Sequence, residues 1–254
     1  MWAKIGYGFF GILLLVLSWT IIGYLTFSQE GYEQFSGFFP MPTFKALFEL
    51  IYDPSFWHSV YASLRRIVVS IFISALMGIP LGILLGFYEK LKMISYPPIQ
   101  FLRMISPISW MPIALLVFQS FESAIIFLLI MATIWPIIIN TTLGVTRVES
   151  RWLLMAINQG AKNYQLIFKI IVPSTIPYML TSLRMALGVA WIVLVPAEFL
   201  GISSGLGYLI NDARDTMSYD RLMAIVIAIG IIGTILDSLI ELIQKPYQWK
   251  RAKQ

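Results

Sequence analysis

Long apolar stretches separated by short polar turns make up most of this sequence. Six stretches are each long enough to cross a bilayer, because a spanning helix needs about 20 predominantly apolar residues. Between the fourth and the fifth, a polar interruption at 151–177 replaces the usual short turn. We therefore predict six spanning helices, at approximately 5–27, 58–88, 96–121, 122–145, 176–200 and 221–243.

The first predicted span is followed by a mixed segment instead of a short turn. Residues 43–52 of this segment have apolar side chains at helical spacing, on a face that comprises Phe44, Leu47, Phe48 and Ile51. Such an amphipathic helix suits the interface between lipid and water. We predict a first unit at 1–57, with one spanning helix and this interfacial segment, and a main helical core at 58–254.

The Lys and Arg residues assign the two sides of the membrane, because short loops rich in them stay in the cytoplasm. With the N-terminus inside, the C-terminal tail and the interruption are also inside, and most basic residues lie there. These are Lys4, Lys90, Lys92, Arg147, Arg151, Lys162, Lys169, Lys245, Lys250, Arg251 and Lys253. The opposite side holds Lys45, Arg65, Arg66, Arg214 and Arg221. We predict a multi-pass protein with both termini in the cytoplasm.

Composition agrees with a membrane protein and excludes several functions. Charged residues make up 12% of the chain and hydrophobic residues 58%, whereas soluble domains are about 25% charged. Mean hydropathy is +0.80. Six spans within 254 residues leave no room for a soluble catalytic domain. One histidine and no cysteine provide no cluster of transition-metal ligands. The net charge of +5 comes from basic loop ends, which is typical of orientation signals beside anionic lipid.

The interruption at 151–177 has the features of a binding segment. It is basic and amphipathic, and Gly160 divides it into two predicted short helices that end at Pro173 and Pro177. Physical reasoning leaves two alternatives open. The segment lies flat on the lipid headgroups, or it docks in a groove on a soluble partner.

A resemblance to a known family, carried by particular residues of the segment, favours the second alternative. These residues are Ala156, Gly160, Ala161, Phe168, Ile171, Pro173 and Pro177. Their pattern resembles the coupling-loop signature of permease subunits in binding-protein-dependent ABC importers, although the usual Glu-Ala-Ala start is Leu-Met-Ala here. The stretch 59–86 is similar to a gate-side helix of that family. Three more stretches, at 103–118, 134–145 and 186–215, resemble its nitrate, bicarbonate, sulfonate and taurine branch.

The resemblance implies an all-α integral membrane fold of the type I ABC importer permease, with about six transmembrane helices and a cytoplasmic coupling-helix loop at about 147–175. It implies a homodimer in the bacterial inner (plasma) membrane. Its partners would be two cytoplasmic ATP-binding subunits, an extracytoplasmic solute-binding protein and membrane lipid, with no nucleic acid. ATP and Mg would be bound by the partner ATPase, so this chain would hold no cofactor or metal and catalyse no reaction. The residues expected to couple it to the ATPase are Ala156, Gly160, Ala161, Lys162, Leu166 and Pro173.

Polar and kink-forming positions within the spans are candidates for the translocation path. Glu198 is a functional candidate because intramembrane carboxylates are costly; it would gate or select, or it is an interfacial group in contact with water. Arg103 and Arg184 either reach the headgroups or draw an anion inward. For Asp237 and Glu241 we expect a surface or partner contact. The expected path and gate residues are Ser106, Trp110, Trp135, Asn140, Arg184, Trp191 and Glu198.

Three other functions compete with import of a small anion such as nitrate, bicarbonate, sulfonate or taurine. The same importer class with a different small organic cargo would share every feature above. An ion-coupled secondary carrier would work without an ATPase, but the internal repeat typical of many carriers is not visible. A membrane-embedded enzyme would need Asp, His or Glu clustered at one interface.

Overall fold

The computed structural model describes residues 2–27, 31 and 33–251, and every regular element within these ranges is helical. The α-helices are α1 (Trp2–Phe27), α2 (Pro40–Ile51), α3 (Pro54–Phe87), α4 (Glu89–Met104), α5 (Met111–Val117), α6 (Phe121–Thr146), α7 (Ser150–Asn158), α8 (Asn163–Leu166), α9 (Val172–Phe199), α10 (Leu206–Asp215) and α11 (Tyr219–Arg251). Two 3-10 helices, Glu33–Phe38 and Pro107–Trp110, and a π-helical turn, Ile167–Ile171, complete the described elements.

Five helical stretches in the described residues are long and apolar enough to cross a membrane. A sixth span is present if α4 and the stretch Pro107–Val117, which bend by 89° at the break between them, count as one. The predicted all-α membrane fold is therefore confirmed, but the third span is neither straight nor confined to 96–121. Ile105 and Ser106 are extended at the break, because the ring of Pro107 disfavours helical geometry in the residue before it.

The chain divides into two units, each with its own contacts. The first comprises Met1–Tyr61 and Ser203–Ile232, and the second Ala62–Ile202 and Gly233–Gln254.

Aromatic stacking and one ion pair hold parts of the first unit together. Phe35 and Phe38 pack on Tyr219, with ring centroids 5.1 and 4.9 Å away. Arg221 Nη2 donates to Asp53 Oδ2 at 2.8 Å. The pKa of the Asp53 carboxyl is lowered, first by its hydrogen bond with the Ser55 side chain and then by further contacts that include the Arg221 charge. In α2, Thr43, Ala46 and Leu50 are buried, whereas three residues of the predicted apolar face, Phe44, Phe48 and Ile51, are exposed.

Helices α6 and α9 form the centre of the second unit. They share an extensive contact. Twelve residues of α6 are buried along its length, from Ala124 to Val145. Because α6 is surrounded by protein over much of its length, it provides a rigid base against which α3, α5 and α9 are positioned.

Glycines at four-residue spacing let α3 and α6 approach closely. A Cβ built on Gly82 would lie 2.6 Å from Thr141 Cβ and 2.9 Å from the carbonyl oxygen of Ile138. Thr142 Oγ1 donates to the carbonyl oxygen of Gly82 at 3.1 Å across the same contact. Small residues and hydroxyl bonds are the usual means of helix association in membranes, where no hydrophobic effect drives it.

We expect Gly82→Leu to destabilise the protein, because the leucine side chain has no space between the two backbones. Overpacking of this kind costs about 1–3 kcal/mol. A lower thermal midpoint in detergent, measured by size-exclusion chromatography after heating, checks this. Gly188→Ala is the matched control, since nothing lies within 4 Å of a Cβ at Gly188. Equal midpoints for the two variants would contradict the prediction.

Candidate functional site

A cluster of charges with a buried ion pair at its centre joins α3, α6 and α9 in the second unit. Arg66 Nη1 donates to Glu198 Oε1 at 2.6 Å, and Arg66 Nε and Nη2 donate to Glu122 Oε2 at 2.9 and 2.7 Å. Ser63 Oγ lies 2.8 and 2.9 Å from the two carboxylate oxygens of Glu198. The side chains of Arg66 and Glu198 are 2% and 0% exposed. With Arg65 3.6 Å from Glu122, the cluster contains two positive and two negative charges.

Glu198 is therefore fully buried, and not in contact with water as one sequence alternative had it. Its principal partner, Arg66, was missed as a site residue and only assigned to the outer side. A signal for it exists in the sequence, because Ser63, Arg66, Ser70 and Ser74 recur at helical spacing in an apolar span. All four are buried on one face of α3. Ser74 shares a 2.7 Å hydrogen bond with Thr133 of α6.

A second ion cluster joins α9 and α11 within the second unit. Arg184 Nε and Nη2 donate to the two oxygens of Asp237 at 2.8 and 2.6 Å, and Nη2 also donates to Glu241 Oε2 at 3.1 Å. These side chains are 31%, 52% and 45% exposed. One guanidinium faces two carboxylates, so this surface of the unit carries a net negative charge.

A cavity of about 360 Å³ lies where α4 breaks, against α6 and α9. It brings together two of the predicted path residues, Trp135 and Asn140, with Arg103. The other predicted residues lie elsewhere. Trp110 and Trp191 pack against the hydrophobic core of the second unit, and Ser106 is exposed at the break.

The interruption between α6 and α9 folds as two short helices joined by a left-handed turn. Gly160 has φ +82°, a conformation that glycine adopts without steric cost. The N–H of Ala161 donates to the carbonyl of Ala156 at 3.0 Å, which ends α7. The N–H of Lys162 then donates to Gln165 Oε1 at 2.8 Å and begins α8. Leu166 is buried.

The prediction that the second short helix ends at Pro173 and Pro177 is wrong. A π-helical turn joins α8 to α9, so the helix continues from Asn163 to Phe199. Pro173 is the second residue of α9, a position where the missing N–H of proline is tolerated. Pro177 lies further inside the same helix.

Large apolar side chains on this loop point outward. Trp152, Leu154, Met155, Ile157, Tyr164 and Phe168 are all at least half exposed. An apolar surface of this extent marks a site of contact with protein or lipid. Within the described residues no group of three His, Cys, Asp or Glu side chains is arranged to hold a metal ion.

Comparison with known proteins agrees with this arrangement. Residues 78–247 match the family model of the binding-protein-dependent transport system inner membrane component. The bicarbonate transport system permease protein CmpB of Synechococcus elongatus is 33% identical over 247 residues, covering 92% of this chain and 86% of that protein. The nitrate import permease protein NrtB of Leptolyngbya laminosa is 33% identical over 211 residues, covering 79% and 75% of the two proteins.

A solved structure shares the fold. A chain of the MetNI methionine ABC transporter, in inward-facing conformations, aligns with a TM-score of 0.63 at 17% identity, covering 77% of this chain and 96% of that one. Family membership excludes the secondary carrier and the membrane-embedded enzyme. The chain belongs to the inner membrane components of binding-protein-dependent transport systems: it is the multi-pass permease subunit of an ATP-driven importer, not itself an enzyme, and works with a separate ATPase and a binding protein.

Proposed function

We propose that this permease imports a small oxyanion of the nitrate or bicarbonate type. The names of its relatives CmpB and NrtB are the observation that carries the proposal. The cavity beside Arg103, whose lining residues include no carboxylate, suits a negatively charged cargo. Sulfonates, taurine and other small organic solutes are the competing cargoes.

The functional complex in this proposal contains two permease copies, two ATPase subunits and one extracytoplasmic binding protein. ATP and Mg are bound by the ATPase, so this chain contributes no cofactor ligands. Two-fold symmetry is the commonest arrangement of paired subunits, and it gives each ATPase subunit one coupling loop. The acidic surface around Asp237 and Glu241 is costly in lipid, so it faces the second copy or the aqueous path.

The coupling residues act through the shape of the loop. Gly160 and Ala161 form the turn that sets the angle between α7 and α8, and Lys162 begins α8. Leu166 and Pro173 anchor the loop to α9. Ala156 accepts the hydrogen bond that closes α7. The exposed apolar side chains of the loop then fit a groove on the ATPase, as amphipathic helices do in other complexes.

The path residues divide into two groups. Trp135 and Asn140 line the cavity, with Ser106 at the break beside it and Arg184 on the neighbouring helix. Trp110 and Trp191 hold the surrounding helices in place. Glu198 contributes to the outer gate through Arg66, because this pair fixes the end of α9 against α3.

Transport by the reconstituted complex tests the proposal. Liposomes that contain the permease, its ATPase and its binding protein should accumulate nitrate or bicarbonate only with hydrolysable ATP inside. A complex with a non-hydrolysable ATP analogue is the control. ATP-dependent uptake of a neutral organic solute, with no uptake of either oxyanion, would overturn the proposed cargo.

Labelling of single cysteines should place the coupling loop in the cytoplasm. Gln119 precedes the start of α6 and Lys162 lies in the loop after its end. The two ends of this 26-residue helix are about 38 Å apart at 1.5 Å per residue. Because the native chain has no cysteine, Lys162→Cys and Gln119→Cys report without background from the permease. A membrane-impermeant thiol reagent added outside intact cells should label Gln119→Cys only. Labelling of Lys162→Cys from outside would reverse the orientation.

A further inference from the structure

The cavity at the break of α4 has a mostly apolar lining that also contains three side chains with N–H groups, Arg103, Trp135 and Asn140. Its lining comes from α4 and the break that follows it, from α6 and from α9, and comprises Arg103, Met104, Ile105, Pro107, Met131, Ala132, Trp135, Pro136, Ile139, Asn140, Met185 and Val189. Non-helical backbone at membrane depth occurs only where it is buried in protein or lines a water-filled cavity. Ile105, which is extended at the break, lines this space, where water or a polar solute can bond its backbone groups.

Arg103 has no counter-ion among the residues that the structure describes. Two other arginines of the second unit are paired, Arg66 with Glu122 and Glu198, and Arg184 with Asp237 and Glu241. Arg103 makes no ion pair or side-chain hydrogen bond with any described residue, and no carboxylate lines its cavity. The side chain of Arg103 is exposed, so its guanidinium is accessible to an anion, which its positive charge attracts.

Further donors face the same space. Asn140 Nδ2 donates to the carbonyl of Pro136 at 2.8 Å, and its second hydrogen meets only Met185 Sδ at 3.4 Å. A thioether is a weak acceptor, so an oxyanion in its place would form a stronger hydrogen bond with this N–H. The indole N–H of Trp135, which also lines the cavity, makes no hydrogen bond within the described residues.

We propose that this cavity is an oxyanion subsite of the translocation path, with the Arg103 guanidinium as its main ligand and the Asn140 amide as a second donor. The inference rests on the proposed function. Nitrate and bicarbonate are planar, and the guanidinium fork binds planar oxyanions through two parallel hydrogen bonds. The volume exceeds that of such an anion with several waters, since one water occupies roughly 30 Å³. A lipid phosphate offers the same chemistry and is the competing source of the anion.

Protection of a cysteine in the cavity tests the subsite directly. Val189→Cys is placed on the α9 wall, and its labelling by neutral N-ethylmaleimide is followed on the permease chain by mass spectrometry. The sample is the permease–ATPase complex without binding protein, and the probe is inorganic nitrate. At a nitrate concentration about twice the Kd, labelling should slow about threefold by mass action.

Substitutions on α4 assign the protection to Arg103. Arg103→Gln should abolish it, and Arg103→Lys, which keeps the charge but loses the fork, should retain part of it. Lys90→Gln removes the same charge from the other end of α4 and should leave protection intact. Equal protection with Arg103→Gln, or none in the parent protein, would overturn the subsite. A third result would also overturn it: phosphatidylglycerol added to the detergent sample slows labelling, and nitrate has no further effect. Lipid phosphate would then be the ligand.

Uptake separates failure of the subsite from failure of the proposed function. In liposomes with ATPase and saturating binding protein, Arg103→Gln should lower nitrate uptake at least about tenfold, the loss expected for a hydrogen bond to a charged group. If the parent protein accumulates nitrate and Arg103→Gln does so equally, the subsite is wrong and the cargo stands. If the parent protein accumulates no oxyanion, the proposed cargo is wrong.

Discussion

Arg66→Met is expected to lower the yield and thermal midpoint of the folded permease more than any other single substitution considered above. It leaves the Glu198 carboxylate, which is fully buried, without its guanidinium. Breaking a buried ion pair by removing one partner costs about 3–5 kcal/mol. That is a large share of the 5–15 kcal/mol that typically separates folded from unfolded protein. Fluorescence-detected size-exclusion chromatography of the solubilised protein measures both quantities.

The neighbouring arginine provides a matched control. Arg65 is one residue away on α3, but its side chain is 61% exposed and lies 3.6 Å from Glu122. Exposed pairs of this kind contribute little, so Arg65→Met should retain the parental midpoint. Arg66→Met combined with Glu198→Gln should recover part of the loss, because the two substitutions are coupled. Equal midpoints for Arg65→Met and Arg66→Met would contradict the prediction.

The spanning helices were predictable because lipid removes most of the freedom that a soluble chain has. In the bilayer core every backbone hydrogen bond must be satisfied within the segment, so apolar length alone locates α1, α3, α6, α9 and α11. The third span was harder to predict because its helix breaks. The dipeptide Ser106-Pro107 marks the break in the sequence, but the 89° bend depends on how α5 packs against α6.

Pairings between helices were not predictable from the sequence. Glu198 was identified from its cost in a membrane, whereas Arg66 was overlooked because two adjacent arginines at a span end are typical of a topology signal. Only the packing of α3 against α9 distinguishes the buried arginine from the exposed one. Arg103 differs from Arg66 in that no carboxylate lies near it in the cavity, and its proposed role depends on that absence. No pattern along a single helix contains that information.

The coupling loop shows how far a resemblance extends. The turn at Gly160 was predicted to break the segment, and the structure has a break there with positive φ. The proline positions in the same signature were misjudged, because proline usually ends a helix. Here a π-helical turn precedes Pro173, and such turns shift the hydrogen-bond register inside a continuing helix.

Gly160→Val should uncouple the importer while the permease remains folded. A β-branched residue with φ near +82° is strained by roughly 1–2 kcal/mol or more, so the turn between α7 and α8 changes its geometry. Asparagine tolerates this conformation, which makes Gly160→Asn the matched control. No atom lies within 4 Å of a Cβ at Gly160. The two variants therefore differ in backbone strain and not in clashes within this chain.

ATP hydrolysis by the complete complex measures the coupling. Strain of this size corresponds to a factor of about 5–30 in the population of the native turn, so stimulation by the loaded binding protein should fall by a similar factor in Gly160→Val. The thermal midpoint of the isolated permease should change little, because Gly160 is exposed and a Cβ added there meets no atom within 4 Å. Retained stimulation in Gly160→Val would show that the ATPase does not depend on this turn. Loss of stimulation in both variants would instead assign the effect to a side chain obstructing the docking groove, since only the valine strains the backbone.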